Sequence, residues 1–328
     1  MVEVMNIFLL QTVLLVFIQL FLILILSPFI NTLMKKLKAL LQGRIGPPLM
    51  QGYYDLSKYF QKETVVSNQT SPIFLITPFV VFSATLLASL LVPTYITITP
   101  LFILGGIILL VYLFGLARFF MAQAAMEPGS GFCGMASSRE MMLAMLIEPV
   151  LLLSLFVLAL MAKSTNLPNI VNWLSIQGIH LFTPTYVLAV IALLIAGIAE
   201  MGRVPFDNPE THYELTMIHE GMFLEYSGKL LGMMIWASWI KQLLILSLLA
   251  NFIFPYGYSA SASLPILFTG LLFYFAKVVI VCLIVVLVET VIAKVRLFRV
   301  KDILIASFVI SIIALVISIS KDTGGLGL

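Results

Sequence analysis

Eight stretches of roughly 20 apolar residues, the length of helix that crosses about 30 Å of hydrocarbon, divide this chain from end to end. They run approximately over 7–33, 73–92, 101–121, 141–162, 184–201, 231–254, 264–288 and 303–320. Backbone amides in hydrocarbon must bond within their own segment, so the pattern predicts an all-α integral membrane protein with about eight transmembrane helices. Pro28, Pro78, Pro93 and Pro184 lie where such helices bend or begin. Composition excludes the soluble alternatives: 61% of the 328 residues are hydrophobic and 10% charged, against about 25% charged in soluble domains. Soluble enzymes, nucleic-acid readers and disordered scaffolds are set aside on that ground. Two cysteines, Cys133 and Cys282, cannot build a four-thiolate cluster site, and His180, His212 and His219 include no pair within an apolar span to clamp a haem. Any electron carrier is expected on another chain.

The basic residues fall on alternate connections. Lys35, Lys36, Lys38, Arg44, Lys58 and Lys62 follow the first span, and Arg118 and Arg139 flank the third connection. Arg203 and Lys229 bound the fifth, and Lys294, Arg296, Arg299 and Lys301 fill the seventh, so fourteen of the 18 basic residues share one side. The positive-inside rule makes the odd connections, approximately 34–72, 122–140, 202–230 and 289–302, cytoplasmic, and places both termini outside. The whole of 1–328 reads as a single polytopic membrane domain. Because Glu3 precedes the first span and the basic cluster follows it, that span is expected to be a retained helix rather than a cleaved signal.

Within the first connection, Leu49, Tyr53, Leu56 and Phe60 recur at +4, +3 and +4, while Gln51, Asp55, Lys58 and Lys62 repeat the spacing two residues later. That offset is about 200° around a helix, so the segment is expected to be an amphipathic cytoplasmic helix in the headgroup plane or against a peripheral partner. Gly46, Pro47 and Pro48 supply the preceding turn and helix start.

Charges inside spans cost about 2.5 to 3.5 kcal/mol each on insertion scales. Glu148, Glu200, Lys241, Lys277 and Glu289 are of this kind, with Glu140 near a span end. They must face protein or water, either as static ion pairs or as groups that gain and lose protons. The fifth connection is a long acidic loop holding Glu200, Asp207, Glu210, Glu214, Glu220 and Glu225, six of the 15 acids. On a helix started by Asn208 and Pro209, Glu210 and Glu214 would stack two like charges, which Arg203, Lys229 or a shared proton must offset. Leu215, Met217, Ile218, Met222 and Phe223 interleave too much apolar surface for a solvated loop. His212 and His219 match no metal-binding spacing, and no metal is expected.

The run Glu200-Met-Gly-Arg-Val-Pro-Phe-Asp, the paired Glu210 and Glu214, and Glu225-Tyr-Ser-Gly resemble the acidic loop of the H-type membrane subunit of respiratory complex I and of membrane-bound NiFe hydrogenases. Arg44-Ile-Gly-Pro-Pro with Gln51-Gly-Tyr-Tyr-Asp-Leu-Ser-Lys58 is similar to that family's first cytoplasmic loop. Ala136-Ser-Ser-Arg-Glu-Met-Met-Leu and Ile147-Glu148-Pro149 are similar to its hydrogenase branch. The resemblance implies a non-catalytic subunit in a prokaryotic cell (inner) membrane. That subunit would anchor the hydrophilic large and small hydrogenase subunits and link them to antiporter-like, ion-pumping membrane subunits. It implies no cofactor on this chain, with the Ni-Fe centre and iron–sulfur clusters on partner subunits. Glu140, Glu148, Glu200, Asp207, Glu210, Glu214, Glu220, Glu225, Lys241, Lys277 and Glu289 are the expected ion-translocation residues, and Arg44, Asp55, Lys58, Arg139 and Arg203 the expected docking residues.

The sequence also departs from the complex I pattern. Thr211-His212 stands where complex I has a third acid, the stretch from Leu215 to Glu225 is longer by about three residues, close to one helical turn, and the first loop is shorter. All three weigh against the quinone chamber that the complex I subunit helps form. Two alternatives stay open: a quinone-site subunit of an NADH:quinone oxidoreductase-like complex, and a stand-alone secondary transporter with charged midplane residues.

Overall fold

The computed structural model describes the backbone of residues 2–67, 70–95, 106–178, 182–207, 218–258 and 264–324, and their side chains except at 2–13, 264–267, 297–298 and 321–324. The described elements are helices: α1 (Val2–Leu41), α2 (Gln51–Gln61), α3 (Pro72–Leu91), α4 (Ile107–Met126), α5 (Gly131–Ala162), α6 (Leu167–Gln177), α7 (Pro184–Glu200), α8 (Gly228–Ile253), α9 (Leu264–Val291) and α10 (Leu297–Gly324). Seven are long and apolar enough to cross a bilayer. The remaining expected span falls on α7, whose 17 residues meet the lower end of the spanning range, about 17. The protein is an all-α, multi-pass membrane protein.

Helices overrun the expected spans where charges begin. α1 continues to Leu41 and α5 starts at Gly131, so the connection expected over 122–140 shrinks to 127–130 and the one over 289–302 to 292–296. Hydropathy falls at Lys38, Arg118 and Glu140, yet the helices do not stop, because those charges meet partners inside the bundle. The third span is expected from 101; α4 begins at Ile107, and 101–105 lie outside the described residues.

Two helix prolines organise the packing. A proline has no N–H, so the carbonyl four residues earlier loses its helical donor. Pro28 frees the Leu24 carbonyl, which accepts from the Trp236 indole at 3.3 Å. Pro78 frees the Phe74 carbonyl, which accepts from the Tyr226 hydroxyl at 2.9 Å while the Phe74 and Tyr226 rings stack at 4.0 Å. Both donors come from α8 or the residues leading into it, so α8 is fixed against α1 and α3. Every residue of α8 from Ile240 to Phe252 is buried, the pattern of a helix surrounded on all sides. α5 and α7 pack together with α10, α4 joins α3 to α5, and α9 lies along α1 and α8.

α2 is the amphipathic helix expected from its spacing. Leu56 is buried, Phe60 meets Trp236 edge-on at 6.0 Å, and Lys58 is exposed. It crosses α1 at the Pro28 bend, where the Gly52 amide donates to Thr32 Oγ1 at 3.1 Å. A Cβ at Gly52 would lie 2.7 Å from the Pro28 carbonyl oxygen, so this crossing requires glycine. The basic connections meet at one end of the bundle: the Val65 amide donates to Ser227 Oγ at 2.8 Å and the Val295 amide to the Pro205 carbonyl at 3.1 Å. This is called the basic end below.

Candidate functional site

Arg118 of α4 is the hub of a charge cluster enclosed by α4, α5, α7 and α8. Its Nη2 donates to both carboxylate oxygens of Glu200, its Nη1 donates to Glu148, and its Nε lies 3.3 Å from Glu140 Oε1. Lys241 Nζ holds Glu200 from the other side at 2.7 Å. His219, from the segment leading into α8, places Nδ1 3.6 Å from the same Glu140 oxygen. Arg118, Glu200 and Lys241 side chains are 2%, 2% and 7% exposed, so the ion pairs are shielded from water and bind strongly only because each charge has partners. Two permanent cations face three carboxylates. The cluster therefore carries one negative charge in excess, and a protonated His219 or a protonated carboxyl makes it neutral.

The surroundings of the cluster differ from one side to another. One helical turn farther from the basic end, each element turns apolar: Phe114 on α4, Leu151 on α5, Gly197 on α7, and Leu244 and Ile245 on α8. These side chains surround a void of about 10 Å³ without polar lining groups, which stays dry. Laterally, Glu148 is 40% exposed and opens into a crevice of about 580 Å³ formed with Tyr112, Leu116, Phe119 and Met141. Gly115 faces this carboxylate and leaves room for it.

A second network ties the basic end. Glu289 of α9 lies 3.7 Å from Lys38 and 3.6 Å from Arg203, and Arg203 donates to Asn31 at 3.0 Å. Asp207 accepts from the Ile218 and His219 amides at 3.3 and 3.2 Å and from Lys294 at 3.3 Å, so it joins the two ends of the acidic loop. A cleft of about 350 Å³ beside α2 is lined by Lys35, Asp55, Tyr59, Glu220 and Trp239. Loss of water around the Glu220 carboxyl raises its pKa, with Asp207 adding to the rise and His219, Lys35 and Arg203 opposing it. Burial raises the Tyr59 hydroxyl, and Asp55 and Glu220 raise it further. Lys277 stands apart, with Nζ 4.0 Å above the Tyr258 ring, whose hydroxyl donates to Asn251 at 2.6 Å.

Of the residues singled out in sequence, Glu140, Glu148, Glu200 and Lys241 meet in one cluster, and Asp207 and Glu289 belong to the second network. Glu225 is exposed at the basic end, and Glu220 has an open outer surface there while it also lines the cleft beside α2. Lys277 joins neither group of acids. Glu210 and Glu214, with Asn208, Pro209 and His212, lie outside the described residues. Among the expected docking residues, Arg44 and Lys58 are exposed and Asp55 and Arg139 half-buried, whereas Arg203 is 4% exposed. Arg203 is thus directed inward, because Glu289 and Asn31 hold its guanidinium. Sequence reasoning misses the hub. Arg118 counts there among the loop cations although it lies inside the third span, and His219 is weighed only as a metal ligand. The available signal is the demand of three intramembrane carboxylates for nearby cations.

A family model described as NADH dehydrogenase matches residues 12–319. The chain belongs to this NADH dehydrogenase family. Within the family it is 33% identical over 296 residues to hydrogenase-4 component C of Escherichia coli (strain K12), covering 90% of this chain and 92% of that relative. It is 35% identical over 275 residues to formate hydrogenlyase subunit 4 of Escherichia coli (strain K12), covering 83% and 87%. Among solved structures it is similar to a chain of the membrane-bound sulfane sulfur reductase, an archaeal respiratory membrane complex. The TM-score is 0.79 at 25% identity, over 92% of this chain and 99% of that one. This NADH dehydrogenase family member is a membrane subunit of the complex-I-like type, as the hydrogenase branch of the H-type resemblance led one to expect.

Proposed function

We propose that this chain is the membrane-anchor and energy-coupling subunit of a complex-I-like NiFe hydrogenase, linking electron transfer in a peripheral arm to proton or sodium translocation. The observation that carries the reading is the Arg118 cluster: three carboxylates and two cations gathered by four helices, open at Glu148, with one charge left over. A group of that kind accepts or releases a proton at little structural cost, because its members already hold one another in place. Its relatives named hydrogenase-4 component C and formate hydrogenlyase subunit 4 support a hydrogenase setting. The peripheral partners are the large and small hydrogenase subunits, which carry the Ni-Fe centre and iron–sulfur clusters; antiporter-like chains are the membrane partners. The basic end, with Arg44, Asp55, Lys58 and Arg139, faces the cytoplasm and the peripheral arm, and both termini lie outside. Glu210, Glu214, Glu225 and Lys277 serve the same translocation path.

The test is gentle detergent purification with mass spectrometry of co-purifying chains, followed by hydrogen-linked ion transport in vesicles for the parent and Lys241→Met. Hydrogenase chains are expected to co-purify, and Lys241→Met to lower the ions moved per hydrogen turned over. A solitary, transport-active chain would overturn the reading. A second reading, a quinone-site subunit, draws on the cleft of about 350 Å³ beside α2. A quinone in the lipid extract of the pure complex, with inhibition by a rotenone-like compound, would favour it.

A further inference from the structure

We infer that His219 is the seat at which the excess proton of the Arg118 cluster enters or leaves on the basic side, and that the charged ring holds the segment 218–226 against α5. The first part rests on the coupling reading above; the second rests on geometry alone. His219 Nδ1 faces Glu140 Oε1 at 3.6 Å, and the Glu140 carboxylate continues into the cluster through Arg118 Nε at 3.3 Å. The backbone position of the ring is set from three directions. Its own amide donates to Asp207 at 3.2 Å, Asp207 is neutralised by Lys294 at 3.3 Å, and the ring meets Phe223 edge-on at 5.3 Å. Gly202, at φ +61°, passes beneath it, and a Cβ there would lie 3.5 Å from His219 Cβ.

The charged groups around the ring are Glu140 from α5, Arg118 and Lys241 behind Glu140, Asp207 at its amide, and Glu220 beside it with Lys35 and Arg203 facing Glu220. With Arg118 and Lys241 already spent on three acids, an imidazolium brings the cluster to neutrality, and a neutral imidazole leaves it one charge short. When the proton moves inward, the N–H bond at Nδ1 breaks, an O–H bond forms on Glu140, and the positive and negative charges vanish together. The side chain is 13% exposed, so the ring touches solvent at its edge while reaching the buried carboxylate. Histidine is suited to this place because its imidazole has two ring nitrogens, so it can take a proton at its solvent edge and give one up at Nδ1.

The experiment is hydrogen–deuterium exchange of 218–226 in the purified complex between about pH 6 and about pH 8, corrected for intrinsic exchange, alongside ions moved per hydrogen turned over in vesicles. In the parent, the imidazolium–carboxylate attraction disappears as the ring deprotonates, and exchange is expected to rise about tenfold across this range. His219→Gln is expected to show a flat profile and a lower ion ratio; His219→Lys, a cation that does not titrate here, is expected to stay protected and also to lose ion transport. A flat profile in the parent, or the parent's profile in His219→Gln, overturns the hold, and the parent measurement stands even where a variant fails to assemble. An unchanged ion ratio in His219→Gln overturns the proton seat. A parent complex that moves no ion at all defeats the coupling reading instead, and the exchange profile still decides the hold.

Discussion

Arg118 shows how one side chain can decide whether two helices, α5 and α7, accept three acids. Replaced by leucine, it leaves Glu140, Glu148 and Glu200 with Lys241 as the remaining permanent cation. Breaking a buried pair by removing one partner costs about 3 to 5 kcal/mol, so Arg118→Leu is expected to deplete the folded chain from membranes. Adding Glu200→Gln to that variant returns the cluster to the parent's single negative excess and is expected to recover part of the loss, read as membrane-inserted protein and thermal unfolding in detergent. Equal depletion in single and double variants would mean that the arginine acts by packing. Glu220 gives a pH prediction. Its raised pKa means the folded chain keeps a proton that the unfolded chain releases, so stability is greatest below the ordinary carboxylate value and falls as pH rises through the raised one. Glu220→Gln is expected to remove that fall, making the variant's melting temperature less pH-dependent than the parent's from about pH 4 upward. The existence of charged residues in the spans is readable from sequence. Their pairing is not, because Arg118 and Glu200 are brought together by helix packing across 82 positions.

At the scale of elements, legibility follows the contrast between water and protein. α2 is readable because it has one wet and one dry side, which leaves the 3.6-residue repeat in its sequence. Apart from a few charges, α4, α5 and α9 are apolar on every face, so their presence is legible and their buried faces are not. The start of α5 is hidden because Arg139 and Glu140 read as loop, whereas tertiary partners let the helix carry them. The crossing of α2 over α1 provides a test. Gly52→Ala puts a methyl 2.7 Å from both the Pro28 carbonyl oxygen and Thr32 Oγ1. Overpacking of this kind costs about 1 to 3 kcal/mol, so α2 is expected to lift from α1. Faster cysteine labelling of a Leu56→Cys reporter in the Gly52→Ala background would show it, since Leu56 is buried in the parent. Unchanged labelling would mean that the bend of α1 absorbs the methyl.

For the whole molecule, the sidedness of the basic residues carries an orientation. A fluorescent reporter that lights only in the cytoplasm, fused after Leu328, is expected to stay dark, while the same reporter inserted after Lys62 is expected to shine. A bright C-terminal fusion would mean that one of the helices, α7 with its 17 residues above all, does not cross.

The dry shell around Phe114, Leu151, Ile245 and Leu249 has an electrical consequence. Voltage across a membrane falls where the medium polarises least, and here that is the thin apolar belt rather than the charged side chains below it. Most of the field is therefore concentrated in the belt. A charge shifting between His219 and Lys241 moves along a nearly equipotential floor and feels only a small part of the full drop, about 2.3 kcal/mol per elementary charge per 100 mV. On the coupling reading proposed above, rearrangement of the cluster is expected to proceed at nearly the same rate in an energised membrane as in a resting one, with the work against voltage done by whatever carries charge past the belt.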